Sequence, residues 1–336
     1  MTLKRIRDTH FAMKDAVLKS LKQTRVVSGQ SLASELGISR TAVWKYVNQL
    51  RREGYRISSS PRLGYTLDSV PDSLLAAEIA ENLQTRIQDR KIISCREMQS
   101  TQDHAKKLAI QGSSEGTIVV AETQSAGRGR LGRSWASPPG GLYFSVILRP
   151  GITLDGAAGL PLVAAVALAR AIQRYTTVAP GLKWPNDVLI KKRKAAGILV
   201  EMSAEMDRLD WVVIGIGVNV AAASEQLPPE IRPTSTSLAI ESARTVHRVQ
   251  LLGDILYELE GALDMFQTEG FEPLRKQWKE KSHTLGKHVT VVGSRQSIEG
   301  KAVDIDDRGA LVMECAGGIR QRVTSGDLFF KGGAHG

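Results

Sequence analysis

The stretch GRGRLGRSW, residues 127–135, follows the β-prone run TIVVAET and is itself followed by two prolines and a second such run, GLYFSVIL. Gly127, Gly129 and Gly132 spell G-x-G-x-x-G. A dinucleotide-binding unit, however, needs a helix directly after those glycines, because the helix N-terminus neutralises the pyrophosphate. Pro138, Pro139 and a strand stand where that helix would begin, and no G-K-[ST] closes the motif into a P-loop. The wider region, residues 76–275, has the same character. GILVEM and DWVVIGIGVNV follow one another without a helix between them, so a mixed α+β sheet is favoured over a doubly wound one. Helices are expected near 76–87, 101–111, 153–175 and 247–268.

Six of the seven residues from Gly127 to Arg133 are Gly or Arg. Glycine lets backbone approach a ligand closely, while Arg128, Arg130 and Arg133 offer guanidinium groups to anionic oxygens. Such a loop would close over an anion and exclude water. Further on, KWPNDVLIKKRKAAGILVE, residues 183–201, places Lys183 before a Trp-Pro turn, Asn186 and Asp187 at a strand start, and Lys194 ahead of a small-residue strand entry. Taken alone, the basic run Lys191 to Lys194 reads as a solvated hairpin tip. IGIGVNV, residues 214–220, alternates glycine with β-branched residues, so something packs on bare backbone at Gly215 and Gly217. Either a ligand or a closely packed helix would satisfy that pattern.

The N-terminus carries a different signal. From Met1 to Gly54 there are eleven Lys and Arg against four Asp and Glu, which accounts for most of a formal net charge of +10. Helical spacing in FAMKDAVLKSL, a cap at Ser28, a turn at Gly37 and a cap at Ser39 outline helix, turn and helix. Val43, Val47 and Leu50 form the buried stripe of the last helix. Ser39, Arg40, Thr41, Trp44, Lys45, Asn48 and Arg51 lie at its start and on its opposite face, suited to base edges and phosphates. YRISSSPRLGYTL then reads as two strands around a turn at Pro61 to Gly64, with Arg62 at the tip: a wing. Beyond Leu285, short strands alternate with turns, including a hairpin at Asp306 to Gly309, and suggest a small barrel. The apolar run Gly156 to Ala169 is short for a bilayer and carries Pro161. With no apolar leader, and with Cys95 and Cys315 far apart, a cytoplasmic protein is expected.

In their order along the chain, GRGRLGRSW, KWPNDVLI with RKAAGILVE, and GIGVNV resemble the family of bifunctional biotin protein ligases and biotin operon repressors. The resemblance covers essentially the whole chain. It implies an α+β multidomain protein: a winged helix-turn-helix at 1–67, a linker at 68–75, a central mixed-sheet ligase domain of class II synthetase type at 76–282, and an SH3-like barrel at 283–336. It implies ATP and biotin as substrates, Mg2+, the biotin carboxyl carrier protein of acetyl-CoA carboxylase as acceptor, operator DNA, and a homodimer when the adenylate is bound; no membrane is implied. By motif, Arg128, Gly129 and Arg130 would cover biotin and the adenylate phosphate, with Arg133 beside them. Lys194 would bridge carboxylate and α-phosphate. Ser100, Thr101, Gln102 and Gln124 would meet the ureido ring, Trp135 would wall the apolar part, and Gly215 and Gly217 would lie under the ligand. Asn219 would reach adenine, Lys183 and Asn186 would serve the nucleotide, and Asp187 would orient the acceptor lysine or magnesium. The family's D-S-T-N stands here as Gln99, Ser100, Thr101 and Gln102, without the acid and with a longer amide at the fourth position. A lipoate ligase shares the central fold, and a biotin-sensing transcription factor without ligase activity shares the rest.

Overall fold

The structure, a computed structural model, describes residues 2–60, 63–85, 90–152, 156–205, 208–221, 224–242, 244–293 and 296–331. Arg62 and the tip of the expected wing turn lie outside the described residues. The chain divides into two compact units, Met1–Ser73 and Leu74–Gly336.

The first unit is built from α1 (Thr2–Gln23), α2 (Gly29–Leu36), α3 (Arg40–Arg52), β1 (Arg56–Ser60) and β2 (Gly64–Ser69). Both expected caps are formed: Ser28 accepts from Ser31 N–H and Ser39 from Ala42 N–H. Gly37 adopts φ 65° and closes α2, as a left-handed C-terminal residue should. Val43, Val47 and Leu50 are fully buried, with Tyr46 beside them. β1 and β2 pair antiparallel, and Gly64 (φ 106°) lies where a Cβ would strike the Val27 carbonyl at 2.2 Å.

In the second unit, α4 (Ala76–Asn82), β3 (Ile92–Met98), α5 (Thr101–Ile110), β4 (Ile118–Gln124) and β5 (Leu142–Leu148) come first. Next are α6 (Leu160–Gln173), β6 (Gly181–Lys183), β7 (Asp187–Ile190), β8 (Arg193–Glu205) and β9 (Arg208–Val218). α7 (Leu238–Glu241), α8 (Arg248–Glu269) and α9 (Glu272–Glu280) follow, and then β10 (His288–Val292), β11 (Ser297–Ile305), β12 (Leu311–Glu314), β13 (Arg320–Val323) and β14 (Asp327–Phe330). The central sheet has the order β3-β4-β5-β9-β8-β7-β6. It is mixed: β3 and β4 run parallel, and every other pair is antiparallel.

Strand alternation sorts its side chains between two layers. Val119, Ile147, Trp211 and Val213 pack with Ala105 and Ala109 of α5, while Val120, Val146, Val212 and Ile214 join the large cluster with α6 and α8. Together with the 3₁₀ turn before it, α6 spans the eighteen residues Gly156–Gln173, long and apolar enough to cross a bilayer by composition. Length therefore does not exclude it as a span, contrary to the sequence reading; instead, 72% of that window is buried inside the protein, as in a core helix. The C-terminal strands form an antiparallel sheet, β13-β12-β11-β10-β14, in the same unit. Trp184 clamps it to the central sheet, with its Nε1–H donating to Gly309 O at 3.1 Å and its backbone N–H accepted by Thr284 Oγ1 at 2.9 Å. Asp68 and Ser69 complete β2, and Leu74 is buried with its N–H on Glu122, so a strand enters the expected linker from one end and a buried contact fixes it near the other.

Candidate active site

Two adjoining cavities, of about 130 and 330 Å3, open beside the start of α5 and beside the β7–β8 hairpin. Arg130, Arg133, Trp135, Asn186, Asp187 and Lys194 line both. The shared wall thus concentrates cations between two chambers of different character.

The smaller chamber is lined with amides and hydroxyls. Thr101 donates its N–H and hydroxyl to Gln124 Oε1 at 2.8 and 3.1 Å, and Gln124 Nε2 donates to Ser137 Oγ at 2.8 Å. Ser145 Oγ lies 3.0 Å from both Thr101 Oγ1 and Gln102 Oε1, with one proton to share between them. Gln102, 3% exposed, donates to Val213 O at 3.3 Å and lies over Gly215, where a Cβ would stand 2.3 Å from its Oε1. Gly217 pairs with Gly197 across β9 and β8. A Cβ on either would meet the Trp135 ring, at 2.5 and 2.8 Å. The bare backbone inferred from IGIGVNV is therefore covered by two side chains, Gln102 from α5 and Trp135 from the loop. Ser100 departs from expectation: it is buried, borders neither chamber, and spends its hydroxyl capping α5 through Asp103 N–H at 3.2 Å.

The Gly-Arg loop is a small hairpin. Trp135 N–H donates to Gly127 O, Gly129 N–H to Arg133 O and Arg133 N–H to Arg130 O, with Leu131 (φ 53°) and Gly132 (φ 76°) turning its tip. Its arginines diverge. Arg128 borders the smaller chamber and pairs with Asp103 at 2.5 Å, which raises its pKa. Arg133 pairs with Asp327 at 2.5 Å. Among the described residues Arg130 reaches only Asn186 Oδ1 and Gly326 O, at 3.4 Å each, and burial pushes its pKa down despite Asp327 and Asp187 nearby. A half-buried guanidinium without a carboxylate hydrogen bond is a strong anion acceptor. Lys194 Nζ lies 2.7 Å from Asp187 Oδ1 and 5.1 Å from the centre of the Trp135 ring. Trp135 Nε1–H is buried with no hydrogen-bond partner among the described residues.

The larger chamber adds Lys183, Lys192, Asn219 and Phe330. Burial lowers the Lys183 pKa. Asn219 is buried, and its Nδ2 donates to Thr236 O at 3.0 Å and Lys194 O at 3.4 Å, so its amide nitrogen already ties the Lys194 backbone in place. The hairpin tip is not simply solvated. Glu241, 1% exposed at its side chain, binds Arg193 at 2.6 Å, Lys191 at 3.0 Å and the Thr236 hydroxyl at 2.8 Å. Ser145, Asp327 and Glu241 escaped the sequence reading, while Gly197 was noted only as part of a small-residue strand entry. Among the three, a lone hydroxyl inside the apolar strand LYFSVIL was the available signal.

In the first unit, Arg40, Thr41, Trp44 and Lys45 are exposed along α3, Trp44 by 56%. Arg51 is diverted from that face: Nε and Nη2 donate to Ile57 O at 2.9 and 2.8 Å, and Nη1 donates to Asn48 Oδ1 at 3.2 Å. It fastens α3 to β1.

Residues 94–219 match the biotin/lipoate A/B protein ligase family, 14–66 an HTH domain, and 284–331 the biotin protein ligase C-terminal domain. The bifunctional ligase/repressor BirA of Bacillus spizizenii is 39% identical over 94% of this chain and 97% of its own length. That of Escherichia coli is 31% identical over 87% and 89%. A biotin protein ligase from Aquifex aeolicus, solved with biotin and ATP, superposes with a TM-score of 0.62 at 32% identity, covering 72% of this chain and 98% of that one. Cationic wall, glycine-backed chamber and clamped C-terminal sheet occur here with matches running from the first helices to the last strand, and the chain belongs to the biotin protein ligase family, in its form with an N-terminal helix-turn-helix domain.

Proposed function

We propose that the chain is a biotin–[acetyl-CoA-carboxylase] ligase that also represses biotin genes. The observation that carries this reading is the wall of Arg130, Trp135 and Lys194 between an amide- and hydroxyl-lined chamber and a cationic one. Biotin's ureido ring, one carbonyl and two N–H groups, suits Thr101, Gln102, Gln124 and Ser145. Its carboxylate then points at the wall, where ATP meets it from the larger chamber. A carboxylate oxygen attacks the α-phosphorus, and the bond to the β-phosphate oxygen breaks, that oxygen keeping the electron pair as pyrophosphate leaves. Lys194 and Arg130 offset the charge on the five-coordinate centre, an electrostatic role that needs no protein nucleophile. Lys194 leaves Asp187 as the α-phosphate arrives. Asp187, released, holds the incoming carrier lysine, whose neutral amine attacks the acyl carbon; the acyl carbon–phosphate oxygen bond breaks, AMP leaves with the electron pair, and its phosphate takes the proton the nitrogen sheds.

Arg128, Gly129 and Arg133 close the loop over biotin and phosphate, Lys183 and Asn186 serve the nucleotide, and Asn219 borders the adenine. Magnesium would come with the triphosphate and offset its charge. Among the described residues no three His, Cys, Asp or Glu side chains converge, so Asp187 or Asp327, the carboxylates of the wall, would be the residues to hold it beside the phosphates. The α3 face reads operator DNA, as a cytoplasmic dimer whose pairing the adenylate favours; by linkage the dimer then binds adenylate more tightly than the monomer does. Biotin-dependent release of pyrophosphate from ATP, followed by label on the carrier protein, is the expected result. Release driven by lipoate and not biotin would assign the site to lipoate, and no release with intact operator binding would leave a regulator alone.

A further inference from the structure

The Gly-Arg loop is tied to α5 as well as to its own strands. Arg128, its second residue, places Nη1 2.5 Å from Asp103 Oδ1. Asp103 stands in the first turn of α5, directly after Gln102, which covers Gly215 in the smaller chamber, yet Asp103 borders neither chamber itself. One turn further along α5, Lys106 Nζ lies 2.7 Å from Glu201 Oε1 on β8. The second oxygen of that carboxylate, Oε2, is buried with no hydrogen-bond partner among the described residues. Asp103, through its hydrogen bond and its charge, raises the Arg128 pKa, and the Glu201 charge adds to it against the opposing effect of burial. Helix and strand thus hold the arginine from two sides at the rim of the smaller chamber.

Both members of the Asp103–Arg128 pair are about two-fifths exposed, 40% and 41% at the side chain, so the pair is weak and screened by salt. A weak pair suits a contact that must part each time a ligand passes under the loop. We propose that Asp103 is a positioning residue that latches the Gly-Arg loop through Arg128, setting how fast biotin enters and leaves the smaller chamber and not how tightly it is held. The pair joins loop to helix whether the chamber is filled or not, so its loss eases opening equally in both directions and leaves the binding equilibrium alone. Biotin as the ligand that passes rests on the ligase reading; the latch rests on the contacts of the loop.

Stopped-flow mixing of the full chain with biotin, followed by tryptophan fluorescence, gives the association rate, and chase of bound labelled biotin gives the release rate. In Asp103→Asn both are expected to rise about threefold to fivefold, as for the loss of one exposed ion pair, with the biotin Kd within about twofold of the parent's. Asp103→Glu restores the parent's rates. Added salt speeds both steps in the parent and far less in Asp103→Asn. Parental rates in Asp103→Asn, or a salt dependence equal to the parent's, would overturn the latch. Faster release at unchanged association, and so a weaker Kd, would overturn it too and make Asp103 part of the biotin site. Trypsin cleavage within residues 128–133 reads the latch without biotin, and is expected to be about threefold faster in Asp103→Asn. Faster cleavage in a chain that binds no biotin would fell the ligase reading and leave the latch standing.

Discussion

Arg130 differs from Arg128, Arg133 and Lys194 in what already neutralises it. Arg128, Arg133 and Lys194 each hold a carboxylate, at 2.5, 2.5 and 2.7 Å, whereas Arg130 has two long contacts to neutral oxygens. Arg130 should therefore grip the reactive anhydride more than it binds either substrate. Arg130→Gly is expected to speed adenylate dissociation by tenfold or more, measured by chase of preformed labelled adenylate; an unchanged off-rate would remove the loop from that role. Gly215→Ala tests the floor of the other chamber. Its Cβ would stand 2.3 Å from Gln102 Oε1, so Gln102 must leave Ser145 and Val213. The biotin KM should rise by about tenfold or more with kcat less affected, and an unaltered KM would show that the ring binds elsewhere.

The β7–β8 hairpin shows how a surface element becomes part of a site. Lys191 and Lys192 adopt φ 48° and 69°, uncommon for non-glycine residues. Glu241 pays for that turn by gathering Lys191 and Arg193 next to Lys194. Burial raises the Glu241 pKa, but hydrogen bonds from Thr236, Lys191 and Arg193 outweigh it and hold the carboxyl below its ordinary value. A depressed folded-state pKa gives stability that is present above the unfolded value, near 4.5, and lost as pH falls through the folded one. Glu241→Gln should flatten that acid limb in thermal melts and lower kcat with it; a melt profile parallel to the parent's would contradict the coupling. This pairing was not legible beforehand, because Glu241 sits 48 residues from Arg193 in a segment without periodicity. The caps of α2 and α3 and the glycine alternation of β9 were legible, since each depends on neighbours in sequence, and the mixed sheet was favoured only through runs of strands that follow one another without a helix. β3 and α9 were not: one is defined by its parallel partner β4, the other by packing on α6 and α8. Ser100 misled for the same reason, as a hydroxyl at a helix start serves the cap before it serves a ligand.

At the scale of the whole chain, the DNA-binding and ligase parts fall in two separate compact units. Arg40 and Lys45, exposed on α3 with no acidic partner among the described residues, predict operator affinity that falls steeply with salt, and Lys45→Ala should reduce the slope of log K against log salt by about one. The catalytic unit stands or falls on charge compensation across the shared wall. Biotin-dependent exchange of labelled pyrophosphate into ATP measures that step alone, in the parent and in Lys194→Met. The account predicts exchange in the parent and a loss of about 10²–10³-fold in the variant at an unchanged melting temperature; exchange at the parent's rate without the Lys194 ammonium would contradict it.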